Sequence, residues 1–265
     1  MNLAILGANG RMGKALIEAA QNDSGLTVTL ACVRGSSELI GQSVKQLVNI
    51  TADNAVTLSE FGKSDNAEVI IDFTLPSALT AHLEICISMG RPVVIGTTGL
   101  NDEQLAAIHT AAKQIPIVFA ANYSVGVTLM AKLCRMAAQT LGDTADIEII
   151  EAHHRFKRDA PSGTAMAIGE AIADQLDINL KDRAIYGREG DTGERDQRTI
   201  GFSTVRGGDI IGEHTALFAD IGERVEITHR ASSRQTFALG ALRAAKWLLN
   251  KPAGLYDMED VLGLK

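Results

Sequence analysis

The feature that most constrains this chain is Gly7-Ala8-Asn9-Gly10-Arg11-Met12-Gly13, which follows the apolar run Leu3 to Leu6 and opens a helical pattern. Glycines there allow a tight strand-to-helix turn. They also let backbone N–H groups approach a pyrophosphate, whose charge is favoured at a helix N-terminus. The spacing is GxxGxxG, not GxGxxG. It therefore suits a dinucleotide site but also a glycine-rich turn that holds no ligand.

The first half repeats the same strand-helix grammar. Met12, Ala15, Leu16 and Ala19 predict a helix from Arg11 to Gln21, and Leu26 to Val33 predicts a second strand. Val69 to Phe73 is a continuous apolar run with one Asp, as expected of a strand covered on both faces. Pro76 opens a helix to Met89, which Gly90 ends. Pro92 to Ile95 is the next strand, Asn101 and Gln104 form a capping-box pattern, and Ile115 to Ala120 is a further strand. Such repeats imply a parallel sheet with helices on both faces.

After about Asn122 the grammar changes. A long helix is expected over Val127 to Leu141, a strand over Asp146 to His154, and a small-residue helix from Ser162 to about Leu176. Lys181 to Arg198 is polar and aperiodic and reads as a long loop. Ile200 to Arg206, Gly207-Gly208 and Asp209 to Ala219 read as a hairpin, Arg224 to Arg230 as a third strand, and Thr236 to Leu249 as helix. The expected class is α/β: an N-terminal Rossmann-like parallel sheet plus a smaller α+β domain with a mixed or antiparallel sheet. The expected division is residues 1–124 with 234–265, and residues 125–233.

Composition narrows the classes. With 46% hydrophobic and 22% charged residues, the chain is neither disordered nor a coiled coil. No apolar run reaches the ~18 residues of a membrane helix. A net charge of −7 argues against nucleic-acid binding. Cys32, Cys86 and Cys134 are too scattered for a disulfide framework or a zinc knuckle, and Met1 to Leu6 has no basic region. A cytoplasmic protein with reduced thiols is expected.

Three further groups attract chemistry. The second strand ends Ala31-Cys32-Val33-Arg34-Gly35 without an acid to bind a ribose 2′-hydroxyl. Arg34 is then either a partner for a 2′-phosphate or a solvated arginine, and the balance favours NADPH while leaving NADH open. Phe73-Thr74 and Gly96-Thr97-Thr98-Gly99 sit at strand ends, where ligands bind open α/β sheets. They fit a nicotinamide ribose, or ordinary turns. Finally, Glu151 to Thr164 packs His153, His154, Arg155, Lys157 and Arg158 into an acidic chain, just before a helix start at Ser162-Gly163-Thr164. This suits a small anionic substrate with proton transfer by a histidine. A solvated charged loop competes with it. A metal on His153 and His154 is disfavoured because adjacent strand residues face opposite ways. His82, His109, His214 and His229 read as helix-face or strand residues.

Taken together, the glycine loop, Ile71-Asp72-Phe73-Thr74, Ile95 to Gly99, Ala120-Ala121-Asn122-Tyr123-Ser124-Val125-Gly126 and above all Glu151 to Ala165 resemble the bacterial 4-hydroxy-tetrahydrodipicolinate reductase family, long called dihydrodipicolinate reductases, from Gly7 to about Leu262. The resemblance implies a lysine and diaminopimelate pathway reductase. His153 and Lys157 would be catalytic, and His154 with Ser162, Gly163 and Thr164 would hold substrate carboxylates. Gly7, Ala8, Asn9, Gly10, Arg11, Met12 and Gly13 would hold the pyrophosphate and Arg34 the NADPH phosphate. Phe73, Thr74, Gly96, Thr97, Thr98, Ala120, Ala121, Asn122 and Tyr123 would hold the nicotinamide half. It also implies a second domain for substrate and oligomerisation, a homotetramer, and hydride delivery across a closing cleft. Val33 stands where some relatives carry the ribose-binding acid. Tyr123 replaces a common phenylalanine and should keep an aromatic wall. Another NADPH-dependent reductase, or a nucleotide sensor without chemistry, remains open at this stage.

Overall fold

The structure, a computed structural model, describes residues 1–48, 56–62 and 66–265. The described chain divides into two compact units, Met1–Val125 with Arg234–Lys265, and Gly126–Ser233.

Unit 1 begins β1 (Asn2–Leu6), α1 (Arg11–Gln21), β2 (Thr27–Cys32), β3 (Leu58–Ser59), β4 (Val69–Asp72), α2 (Pro76–Met89), β5 (Val93–Ile95), α3 (Asp102–Ala111) and β6 (Pro116–Phe119). The expected caps are present. Pro76 occupies the first turn of α2, Gly90 ends it in the left-handed region, and Asn101 and Gln104 cap α3 reciprocally.

Unit 2 holds α4 (Val125–Leu141), β7 (Asp146–His153), α5 (Gly163–Gln175), α6 (Leu180–Arg183), β8 (Ala184–Tyr186), β9 (Ile200–Arg206), β10 (Gly212–Asp220) and β11 (Glu223–Ala231). The chain then returns to unit 1 with α7 (Gln235–Leu248), β12 (Gly254–Tyr256) and α8 (Met258–Leu262).

The unit 1 sheet is parallel, in the order β12-β6-β5-β4-β1-β2-β3. This is the doubly wound order with one added edge strand, and its switch point lies between β1 and β4. Period-2 alternation splits each strand between two cores. Leu3 and Ile5 join Ile71, Val94 and Val118 beneath α1 and α7. Ala4 and Leu6 join Ile70, Val93 and Ile117 beneath α2 and α3. The strands therefore read as unbroken apolar runs.

The unit 2 sheet is mixed, in the order β11-β10-β7-β9-β8. Ile147 and Ile149, Ile200 and Phe202, and Ala216 and Phe218 face a single core closed by α4 and α5. The opposite face is wet: Ile150 is 40% and Val205 48% exposed.

Two expectations fail here. First, β9 and β10 do not form a hairpin. β7 lies between them, parallel to β9 and antiparallel to β10. The Gly207-Gly208 link passes over the end of β7, with the Gly207 N–H donating to the His153 carbonyl and the Arg155 N–H to the Gly208 carbonyl. The hairpin is instead β10–β11, closed by Asp220 to Glu223. A glycine pair marks a reversal but does not say which strand will lie alongside. Second, the Lys181–Arg198 segment is not loop throughout. It contributes to α6 and contains β8, an edge strand of three residues, too short for alternation to show. The remainder is pinned to β7 by ion pairs: Arg188 grips Glu148, and Arg195 reaches Glu148 and Asp146.

Candidate active site

In unit 1 the glycine turn sits at the switch point. Gly7 has φ +73°, a left-handed conformation that favours glycine, and a Cβ there would come within 3.2 Å of the Phe73 carbonyl oxygen. A Cβ at Gly13 would collide with the Gly7 carbonyl oxygen and Ala8 backbone, so the first turn of α1 presses directly on the loop. Gly10 caps α1 with no side chain, and no acidic residue stands in the first turn. The helix start is thus built to receive a negative charge. A cradle that side chains would fill, aimed along a helix N-terminus, fits a dinucleotide pyrophosphate.

Beside the turn is a cavity of about 480 Å³, lined among others by Gly7, Asn9, Gly10, Arg34, Phe73 and Thr74. Ala8 and Gly13 are buried beneath it, Arg11 is exposed and Met12 half-buried. Gly96, Thr97 and Thr98, and Ala120, Ala121, Asn122 and Tyr123, follow the C-terminal ends of β5 and β6 and do not line this cavity. Thr97 is buried and donates to the Thr74 carbonyl at 3.2 Å. Tyr123 is no outward wall. It is 1% exposed and its hydroxyl donates to the Ile95 carbonyl at 2.8 Å, with the Val118 carbonyl at 3.1 Å as alternative acceptor. The ring packs against Phe73, centroids 5.4 Å apart, and it is Phe73 that lines the cavity.

Two groups of this cavity escaped the sequence reading. Glu60, just after β3, lies beside Gly35, where a Cβ would be 2.7 Å from its Oε1. An acid absent from the end of β2 thus comes from just after the neighbouring strand, and it lines the same cavity as Arg34. His82, expected to be a plain helix-face residue, places Nδ1 2.7 Å from the buried Asp72 carboxylate. That carboxylate also accepts the Thr74 N–H and hydroxyl.

In unit 2 the strand period builds the second site. Ile147, Ile149, Glu151 and His153 share the inward face of β7, apolar at first and ionisable at the end. Glu151 is 1% exposed, so its charge needs partners. Arg206, the cross-strand neighbour of His153, forks both carboxylate oxygens at 2.8 Å. The Ser162 N–H donates to Oε1 at 3.0 Å, and His153 Nδ1 lies 2.6 Å from Oε2. Burial works to raise the Glu151 pKa, but the bonds from Arg206 and His153 outweigh it and hold it below the usual carboxylate range. Burial lowers His153 below its ordinary value, helped by Lys157 and Arg206 and opposed by Glu151.

The neighbours complete the site. Lys157 pairs with Asp159 at 2.8 Å. Ser162 is buried; its hydroxyl caps α5 by accepting the Ala165 N–H and lies 2.9 Å from His214 Nε2. Its polar atoms therefore point into the protein, and Gly163, exposed, and Thr164, half-buried, form the open start of α5. His154 follows the end of β7, its ring 6.3 Å from that of Phe156, with Nδ1 buried and unbonded among the described residues. His214 packs edge-on against His153, ring centroids 5.1 Å apart, and burial pushes it down to about 4. Alternation along β7 would have put Glu151 with His153. Arg206 and His214 come from other strands and leave no local signal.

The three cysteines are free and buried, and burial pushes the Cys32 and Cys134 thiols up to about 12 and Cys86 higher still. None is poised as the thiolate nucleophile of a semialdehyde dehydrogenase. Among the described residues no helix is long and apolar enough to cross a membrane.

The chain is 60% identical over 264 residues to a 4-hydroxy-tetrahydrodipicolinate reductase of Pseudoalteromonas atlantica, covering 99% of this chain and 98% of that one. A second reductase of the same name, from Pseudoalteromonas translucida, is 56% identical with the same coverage. Among solved structures, a dipicolinate-bound dihydrodipicolinate reductase from Paenisporosarcina sp. TG-14 shares the fold, with TM-score 0.76, 24% identity and 97% of each chain covered. The family described as dihydrodipicolinate reductase matches its N-terminal part over residues 1–123 and its C-terminal part over residues 126–262. Spanned end to end by both parts, the chain belongs to the dihydrodipicolinate reductase family.

Proposed function

We propose that His153 is the proton donor, and Lys157 the carboxylate-side cation, in NAD(P)H-dependent reduction of 4-hydroxy-tetrahydrodipicolinate. The chain is an oxidoreductase of lysine and diaminopimelate biosynthesis, as its family and relatives are. The observation that carries the residue roles is the buried pair of Glu151 and His153 at 2.6 Å, with Lys157 and the start of α5 in the same segment.

A nicotinamide cofactor bound along the glycine turn would supply the hydride for the ring carbon that bore the lost hydroxyl. The turn of Gly7 to Gly13 would hold the pyrophosphate, and Phe73, Thr74, Gly96, Thr97 and Thr98 with Ala120, Ala121 and Asn122 would hold the nicotinamide half, Tyr123 packing against Phe73. His153 gives its proton to the neighbouring ring carbon, quenching the enamine. Lys157, His154 and the N–H groups of Gly163 and Thr164 hold the two carboxylates, and Lys157 offsets charge in the transition state. Ser162 supports this anion site from behind, by capping α5.

Arg34 favours NADPH, and Glu60 beside it gives NADH a ribose partner, so both cofactors are used with NADPH preferred. The wet sheet face carrying Ile150 and Val205 supports a homotetramer, checked by light scattering. The free cysteines suit a reducing cytoplasm.

The test is absorbance-followed oxidation of NADPH and NADH, with substrate generated from pyruvate and aspartate semialdehyde by the preceding synthase. Synthase-dependent oxidation is expected, faster with NADPH. Folded protein that oxidises neither cofactor would overturn the reading.

A further inference from the structure

We propose that Glu151 is the positioning residue of the proton donor: clamped by Arg206, it turns the His153 Nδ1–H inwards and leaves Nε2, in front of Gly212, as the atom that delivers the proton. This rests on the reading of His153 as donor.

An ionised carboxylate only accepts hydrogen bonds, so the 2.6 Å contact makes Nδ1 the donor and decides the tautomer. The carboxylate itself cannot swing. The Arg206 fork, the Ser162 N–H and the Thr204 hydroxyl at 3.3 Å hold its oxygens. On the other side of the ring, a Cβ at Gly212 would stand 3.0 Å from Nε2. The Gly212 backbone is not in the left-handed region, so conformation does not require glycine there. Space in front of Nε2 does.

The charges around the ring give Glu151 a second effect. Arg206 faces His153 from β9, Lys157 from the segment after β7, and His214 from β10, while Asp159 pairs with Lys157. His214 is neutral at neutral pH, and His229 lies across from it on β11. Glu151 is therefore the anion in direct contact with the ring, set against two cations and burial. Without its charge, the imidazolium that donates the proton is disfavoured by those that remain.

The experiment measures kcat and KM against pH for full-length wild type, Glu151→Gln, Glu151→Asp, Gly212→Ala and His153→Ala, with thermal unfolding of each. In Glu151→Gln the alkaline limb of kcat/KM should move down by about one pH unit, a loss of about tenfold near neutrality. The KM for NADPH should be unchanged. Glu151→Asp should move the limb back towards wild type. Gly212→Ala should lose kcat with its alkaline limb in the wild-type place. A Glu151→Gln limb at the wild-type pH, beside an inactive His153→Ala, overturns the positioning role alone. Full turnover by His153→Ala removes His153 as donor and this proposal with it. If Glu151→Gln does not fold, Gly212→Ala decides: folded protein with wild-type kcat overturns the claim.

Discussion

Replacing His214 with glutamine should flatten the acid sensitivity of this protein. The His214 side chain is 4% exposed, and burial carries it from an ordinary 6.5 to about 4. A histidine whose folded value is lowered stabilises fully above its unfolded value, and that stability is lost as pH falls through the window from 6.5 towards 4. At pH 5 the unfolded chain binds the proton and the folded chain does not. Roughly 1.5 pKa units of the gap are then in play, a loss of about 2 kcal/mol relative to pH 7. The glutamine amide reaches the position of Nε2 and keeps a partner for the Ser162 hydroxyl, but does not titrate. Urea unfolding of both proteins at pH 7 and pH 5, followed by circular dichroism, gives the double difference. Glu151, His153 and His229 titrate in both and largely cancel. Wild type should lose about 2 kcal/mol more than the variant, equivalent to about 4–8 °C in Tm. Equal losses in the two proteins would refute the buried neutral imidazole.

Gly13→Ala should lower stability by about 1–3 kcal/mol through overpacking against the Gly7 carbonyl and weaken NADPH binding, read by cofactor fluorescence; unaltered stability and binding would sink the close-approach argument. Arg34→Ala should raise the KM for NADPH about tenfold and leave that for NADH near wild type, whereas Glu60→Ala should do the reverse. Parallel effects on both cofactors would contradict the split assigned to the two residues. Lys157→Ala should cut kcat/KM about 100-fold with NADPH affinity intact, as steady-state kinetics and titration would show.

The legible parts of the fold are those with local causes. The α1 bounds follow from apolar spacing, the α2 bounds from Pro76 and Gly90, and the α3 start from the Asn101–Gln104 box. What escaped has few residues or distant partners. β3, β8 and β12 have two or three residues each, below the length at which alternation registers. The pairing of β7 between β9 and β10 is a tertiary choice that no turn residue announces. At the site, His153 and Lys157 stand in one charged segment. The Glu151 carboxylate, though in that same segment, shows its purpose only when Arg206 arrives from 55 residues away. The cofactor end behaves alike: Arg34 is visible at the close of β2, while Glu60 comes to the same cavity only because β3 pairs alongside.

The detour of the chain through unit 2 has a consequence for how the protein is made. The helix that closes one face of the parallel sheet, α7, lies after residue 234, and its Ala238, Ala241, Leu242, Ala245 and Leu248 pack into the same core as Leu3, Ile5 and Ile71. On the ribosome, β1 to β6 therefore emerge with one apolar face covered by α1 but not by α7, while residues 126–233 leave the exit tunnel as an uninterrupted stretch with a complete core of their own. The nucleotide half, first to be translated, is the last to be finished. During that interval nascent chains carry a partly uncovered Leu/Ile/Val sheet face, the kind of surface that chaperones shield and that is prone to aggregate.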